Sequence, residues 1–377
     1  MGITFAGVID GPPVQVTLRA HPVLRRTVRA CVIVVSIAAA PAASRAQGLL
    51  LDLPLRSQRA EVSQTVGITG IRIAYHRPLV SGRTIWGVVV PYDSVWRAGA
   101  NINTTISFST PVTIEGKPIA EGTYGLHMIP HHDTWTIIFS KNSTSWGSFT
   151  YDSSEDALRV SVTPRPSSMH EALTFEFDQV QPASAVVLLE WEKLAVPFTV
   201  GVDVHAVVLA SMRKQLRTRA RYTWESWDEA ATYLLTEHVD LDTALAYTGQ
   251  SITYEDRYDN EITKSKVFAA LGRKDDAVAT EKKALALATP EQAYDFGRQQ
   301  LAAKHTEEAL AVFHTNAMRH PELWFVHDGL ARAYSAQGKF SEAAKEMNGA
   351  IARAPSGQKS TLEALLKRLE SRQDINL

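Results

Sequence analysis

The chain contains one cysteine, Cys31, and it lies inside an apolar run, Ala30–Ala40. Arg19, Arg25, Arg26 and Arg29 precede that run, and the small residues of Ser44-Arg45-Ala46 follow it. This order reads as an export signal cleaved before Gln47, and the run's eleven residues fall short of the roughly 20 needed to cross a bilayer. Removing residues 1–46 leaves no thiol, which excludes disulfides, thiol catalysis and cysteine-ligated zinc. It also leaves no membrane span and a balance of 34 basic against 39 acidic side chains, net −5 with His neutral. A mildly acidic exported chain is a poor partner for nucleic acid, and the expected location is periplasmic or secreted. The catalytic signatures are missing too: there is no G-x-S-x-G elbow, H-E-x-x-H pair, phosphate-binding glycine loop, dinucleotide fingerprint or EF-hand loop. No reaction is named by the sequence and no cofactor is expected.

What is present is length and pattern. The 377 residues, 45% hydrophobic, suffice for two cores. After a linker at 47–56, apolar residues alternate in short runs through 57–203: Ala60–Val66, Ile71–His76, Thr104–Phe108, Val112–Ile114, Thr123–Ile129, Trp135–Phe139, Leu158–Thr163, Leu173–Phe177, Ala185–Trp191 and Val196–Val202. Turn chemistry separates them, as at Glu115-Gly116-Lys117-Pro118, Pro164-Arg165-Pro166 and Gln181-Pro182. Short strands at this spacing predict an antiparallel β-sandwich or jelly-roll-like domain.

Within that block stand Tyr75-His76-Arg77-Pro78, Gly82-Arg83-Thr84-Ile85-Trp86-Gly87, Val90-Pro91-Tyr92, Val95-Trp96-Arg97-Ala98-Gly99-Ala100-Asn101, Gly122-Thr123-Tyr124, Trp146-Gly147, Trp191-Glu192-Lys193 and Val196-Pro197-Phe198. In this order they resemble the bacterial domain-of-unknown-function family 2911, over about Ser57 to Val202. The resemblance implies an exported bacterial protein, often with helical repeats downstream, and carries no established activity or catalytic residue.

The stretch Gly82–Asn101 is long, irregular and rich in Gly, Trp and Arg, a composition that serves either binding or self-bracing. In the first reading Arg83, Trp86, Tyr92, Trp96, Arg97 and Asn101 line a ligand site, the guanidinium groups gripping a carboxylate or phosphate and the indoles stacking on a sugar or planar ring. In the second the tryptophans plug one end of the β block and the arginines bond loop carbonyls. His76, His127, His131 and His132 are candidate metal ligands, although residues four apart on a strand are about 13 Å from each other, so convergence needs a turn at Pro130. Acidic residues at Asp152, Glu155, Asp156 and Glu171 leave a glycan-cleaving carboxylate pair open.

From Val204 the period changes. Val204, Val208, Met212 and Leu216 mark an amphipathic connector over 204–223, and 224–377 is helical with a 34-residue repeat. Ala309 corresponds to Ala343, Phe313 to Met347 and Pro321 to Pro355, with Leu330, Tyr334, Gly338 and Phe340 completing the best copy and Gly297 placed in the upstream one. Phe268, Gly272, Ala277, Ala284 and Pro290 form a looser copy, Asp242-Thr243-Ala244-Leu245 belong to a further one, and the stretch after Ser360 caps the series. The pattern resembles tetratricopeptide helical hairpins, which implies a groove for a protein or peptide. The alternative is a brace for the β block. The sequence thus points to a non-catalytic binding or scaffolding protein of the envelope, with a glycan-directed enzyme or binding module and a metal-binding protein as alternatives.

Overall fold

The computed structural model describes residues 54–376. The signal-like segment 1–46 and residues 47–53 of the linker lie outside the described residues. Ten strands come first: β1 (Gln58–Val66), β2 (Thr69–Arg77), β3 (Thr105–Phe108), β4 (Val112–Ile114), β5 (Lys117–Ile119), β6 (Gly122–Pro130), β7 (Trp135–Ser140), β8 (Asp156–Val162), β9 (Arg165–Gln181) and β10 (Ser184–Gly201). They form two antiparallel sheets, one in the order β1-β2-β3-β6-β7-β8 and one in the order β5-β4-β10-β9.

Alternation explains how the sheets meet. Ile71, Ile73 and Tyr75 of β2, Leu126 and Met128 of β6, and Ile137 and Phe139 of β7 face inward, against Phe175 of β9 and Val187, Leu189, Trp191, Phe198 and Val200 of β10. One core results, with Phe139 edge-on to Phe198 at 5.9 Å. Hydrogen bonds tie the sheets at one margin: the Tyr75 hydroxyl accepts from the Phe175 amide at 3.1 Å, and Arg77 Nε donates to the Leu173 carbonyl at 2.9 Å.

The last two predicted strands, Ala185–Trp191 and Val196–Val202, are in fact one long strand, β10, and the run Leu173–Phe177 extends in both directions to make β9. In β10 the inward residues are odd-numbered up to Trp191 and even-numbered from Val196, a change of face that sequence alternation reads as a break. Register shifts about Glu192, whose φ is 57°, absorb it: an extra residue in one strand flips the side-chain phase without ending the pairing. Pro166 is accommodated because β9 is the edge of its sheet, where a missing amide leaves no ladder bond unmade.

Ten helices follow: α1 (Val204–Gln215), α2 (Trp224–Thr236), α3 (Leu241–Tyr254), α4 (Tyr258–Ala270), α5 (Lys274–Leu287), α6 (Pro290–Ala302), α7 (Thr306–Arg319), α8 (Trp324–Ala336), α9 (Phe340–Arg353) and α10 (Ser356–Glu370). The Asp203 carboxylate caps α1 by accepting from the Ala206 amide at 3.0 Å. Its apolar residues serve two cores, Val204 and Val207 packing on the β core and Leu209 and Met212 on Leu234, Ala244 and Val267 of the helices.

Helices α2 to α9 make four hairpins in a tetratricopeptide-like array, with α10 packed on the last. Left-handed residues end the first helix of each hairpin and α10: His238, Gly272, Lys304, Gly338 and Arg372, all with φ between 54° and 75°. They recur at 34 residues except between Gly272 and Lys304, where two are missing. Glycine relieves the left-handed penalty at two of these turns, whereas at Lys304 the side chain carries a strain of about 1 kcal/mol. Gly297, placed in the upstream copy of the repeat, is not one of these turn residues. It lies inside α6, where a Cβ would come within 2.6 Å of the Phe313 ring, and its role is to let α6 and α7 approach.

Candidate functional site

The Gly82–Asn101 stretch folds across the end of the β core. Trp96 exchanges two backbone hydrogen bonds with Met128, both 2.8 Å, and the Asp93 amide donates to the Pro130 carbonyl at 2.8 Å, so this segment takes the place beside β6 that β3 leaves beyond Thr105. Four indoles pack together there. Trp86 stands edge-on to Trp135, Trp191 and Trp96 at 5.0, 5.8 and 6.0 Å, and Trp96 lies parallel to Trp191 at 6.0 Å. Trp135 and Trp191 are each 1% exposed. Trp96 Nε1 donates to the Gly99 carbonyl at 3.1 Å.

Most of the other candidates brace the same segment. Arg83 donates to the Val80 carbonyl at 3.1 Å and to that of Leu79. Asn101 donates to the Ser57 carbonyl at 2.9 Å, and Tyr92 lies on the His132 ring at 4.4 Å. Arg97 is different: it is half-buried, and its Nε finds no hydrogen-bond partner among the described residues. Burial also lowers its pKa.

Arg97 points attention to the outward face of the first sheet, where register collects polar residues that no local pattern connects. Arg59 lies opposite His76, Ala74 opposite Thr105, Thr105 opposite Gly125, Gly125 opposite Ser140 and Ser140 opposite Asp156. Directly opposed residues share a face, as do residues two apart on one strand, so Arg59, His76, Gly125, His127, Ser140 and Asp156 all belong to it. A Cβ on Gly125 would meet Asn103 Nδ2 at 2.7 Å and His127 Nε2 at 3.2 Å, which puts the Asn103 amide beside the His127 ring. Asn103 Nδ2 donates to the Asn142 carbonyl at 3.2 Å, and His127 Nδ1 bonds Ser148 Oγ at 3.0 Å. At the far end Asp156 Oδ2 accepts from the Tyr151 hydroxyl at 2.8 Å and from Arg159 Nε at 2.5 Å, while its Oδ1 is buried without a partner among the described residues.

The electrostatics of this face are positive at one end. His76 is 5% exposed, and burial lowers its pKa, with the Arg59 and Arg97 charges adding to the effect. His127 is 2% exposed; burial pushes its pKa down to about 4 against the opposing charge of Asp156. Both imidazoles are neutral at pH 7. Arg59, Asn103, Ser148 and Tyr151 escaped the sequence reading because they arrive from separate segments and only strand register and loop path bring them here.

This arrangement does not bring the four candidate histidines together. His76 and His127 lie on the outward sheet face, whereas His131 contacts Asp93 and His132 packs on Tyr92 at the β6–β7 turn. The turn at Pro130 leads the chain into β7 rather than folding His131 back over His127. Among the described residues no group of three His, Cys, Asp or Glu could hold a metal ion. Two of the acidic candidates are used locally: the Asp152 carboxylate accepts from the Ser154 amide at 2.9 Å and Glu171 from the Ser81 amide at 2.8 Å.

A second polar surface lies on the first helices of the hairpins. Asp228 and Glu229 on α2 and Asp259 on α4 influence one another, and Asp259 and Asp295 on α6 both act on Tyr258. Burial pushes the Asp228 carboxyl up to about 6, with Asp259 and Glu229 adding and Thr263 and Lys266 opposing. Further along, Asp328 on α8, 2% exposed, accepts from Arg332 at 2.8 Å and from the Tyr294 hydroxyl at 2.6 Å.

A family model described as "Protein of unknown function (DUF2911)" matches residues 57–200. None of the curated proteins matches the chain. Similar solved structures include YrrB, described as a TPR protein with an unusual peptide-binding site, at 12% identity and TM-score 0.27 over 44% of this chain and 87% of that one. They also include MamA AMB-1, at 16% identity and TM-score 0.26 over 41% and 86%, and MamA 41-end from Desulfovibrio magneticus RS-1, at 18% and 0.25 over 40% and 97%.

Proposed function

We propose that this chain is an exported, non-catalytic binding protein whose helical repeats hold a basic segment of another protein. The observation that carries the reading is the placement of Asp228 and Glu229 on α2, Asp259 on α4 and Asp295 on α6: burial raises the Asp228 pKa, Asp259 and Glu229 add to it, and Lys266 and an Arg257–Asp259 contact of 3.9 Å offset the acidic charge only in part. A repeat array presents its first helices as a continuous surface, and like charges held close on it favour a ligand of opposite sign.

The test uses the full chain, with fluorescence anisotropy of a labelled 15-residue Lys/Arg-rich peptide and of an Asp/Glu-rich peptide of equal length. The basic peptide is expected to bind and the acidic one to stay free. Asp228→Asn combined with Asp259→Asn should weaken binding at least 10-fold. Because Asp228 titrates at about 6, affinity should rise between pH 5 and pH 7 as the carboxylate forms. Equal binding of both peptides, or binding unchanged in the double variant, would overturn the assignment.

Export is the second part of the proposal and rests on the arginines before Ala30–Ala40 and on Ser44-Arg45-Ala46. Intact-mass measurement of the protein from the bacterial envelope fraction should give a chain starting at Gln47. A mass retaining Met1–Ala46 would reject the cleavage.

A further inference from the structure

We propose that Arg97, His76 and Asn103 form a binding site for a small hydroxylated oxyanion, a sugar acid or a sugar phosphate, on the outward face of the first sheet. The argument begins with a contrast between arginines of one region. Arg77 donates to the Leu173 carbonyl and the Thr174 hydroxyl, and Arg83 to the Val80 and Leu79 carbonyls. Arg97, which follows them in sequence and lies half-buried beside Gly147 in space, has no such bond among the described residues. A guanidinium that only braced the loop would have found a carbonyl, as its neighbours do.

Two further atoms repeat the pattern. His76 Nδ1 and Asn103 Oδ1 are buried without a partner, in side chains that belong to residues each 5% exposed. An unmatched buried polar group destabilises the fold, and more so when it is charged. With Asp156 Oδ1 these atoms come from separate segments to one face, and a buried polar group of this kind calls for a partner.

The atom types define the ligand. Arg97 Nε–H is a donor, Asn103 Oδ1 is an acceptor, and the neutral His76 ring can supply either role at Nδ1. An oxyanion satisfies the guanidinium, and a hydroxyl on the same molecule satisfies the amide oxygen. Arg59 lies directly across from His76 and adds positive charge, while Asp156 bonds Tyr151 and Arg159 through Oδ2 and keeps Oδ1 as a buried acceptor open to a ligand hydroxyl. Gly147, buried and with φ of 69°, would place a Cβ 3.3 Å from Arg97 Nη1. It carries the chain between Trp146 and Phe149, which stack at 5.5 Å with 64% and 77% exposure. An exposed aromatic pair next to a desolvated guanidinium offers a sugar ring an apolar face beside its charged group.

Isothermal titration calorimetry of the full chain with D-glucuronate, glucose 6-phosphate, D-glucose and inorganic phosphate tests this. Glucuronate or glucose 6-phosphate should bind with Kd below 1 mM, the stronger of the two identifying carboxylate or phosphate as the favoured group. Glucose should not bind, and inorganic phosphate should bind at least 10-fold more weakly than the better sugar anion. Arg97→Gln should weaken that ligand at least 30-fold and Asn103→Asp at least 10-fold. Arg165→Gln, a change at an exposed ion pair with Asp178, should leave affinity unaltered, and melting curves of each variant separate lost binding from lost fold. If neither sugar anion binds below 10 mM, if folded Arg97→Gln and Asn103→Asp bind as the parent does, or if inorganic phosphate equals the sugar anions, the proposal is wrong.

Discussion

Gly329→Ala is expected to lower the unfolding free energy by about 2 kcal/mol, although the same change inside a helix ordinarily raises stability by up to about 1 kcal/mol. The reversal comes from packing. Gly329 sits within α8 with the Phe313 ring of α7 against it, so that a Cβ would lie 2.7 Å from Phe313 Cε1 and closer still to Cδ1. Phe313 is fully buried, and Gly297 of α6 approaches the same ring with a Cβ position 2.6 Å from Cε1. The ring is therefore held between two glycine-bearing helices and has no free direction in which to move. Overpacking of this kind costs about 1–3 kcal/mol, and the gain in helix propensity offsets only part of it. Urea denaturation of Gly329→Ala checks the sign. A double-mutant cycle with Phe313→Leu should recover part of the loss, and a Gly329→Ala variant as stable as the parent would show that the helices can separate without penalty.

The second expected effect is a dependence of stability on pH that traces to His127. Its pKa in the folded chain is about 4, against an ordinary value of about 6.5. Below pH 6.5 the unfolded chain takes up a proton that the folded chain refuses, so stability falls as pH is lowered. The contribution is complete above pH 6.5 and has been lost by pH 4, a change of about 3 kcal/mol. Asp228 acts in the opposite sense, because a carboxyl raised to about 6 in the folded chain favours folding at low pH and weakens it as pH rises. Comparison with His127→Gln isolates the imidazole. The stability difference, parent minus variant, is expected to shrink by about 3 kcal/mol from pH 7 to pH 4, and a pH-independent difference would mean that His127 protonates in place.

Several of the elements were legible because they depend on neighbours in the chain. Ile71, Ile73 and Tyr75 alternate with Arg72 and Ala74 within one strand, and Ala309, Phe313, Ala343 and Met347 repeat at 34 residues and are all fully buried. The merged strand β10 was not legible, since a bulge at Glu192 is invisible to a rule of strict alternation. The role of Gly297 was not legible for a related reason: glycine signals both turns and close helix contacts, and only the position of the Phe313 ring distinguishes them. At the candidate site, Trp86 and Trp96 were identified as important, yet nothing in their spacing decided whether they would face a ligand or one another.

By itself, then, the sequence determined the change from a period of two to a helical period at Val204, the antiparallel character of the strands, the repeat and its capping helix, and the absence of thiol chemistry after Ala46. Each follows from composition or from spacings of a few residues, where local backbone geometry dictates which side chains share a face. Tertiary structure alone decided that Arg83 is bonded while Arg97 Nε has no partner among the described residues, and that Arg59, His76, Asn103 and His127 share one surface while His131 and His132 lie at the β6–β7 turn. Those outcomes depend on strand register and on the path of a 27-residue connection between β2 and β3. A register slip of one residue would send each strand's side chains to the opposite face without altering any local pattern.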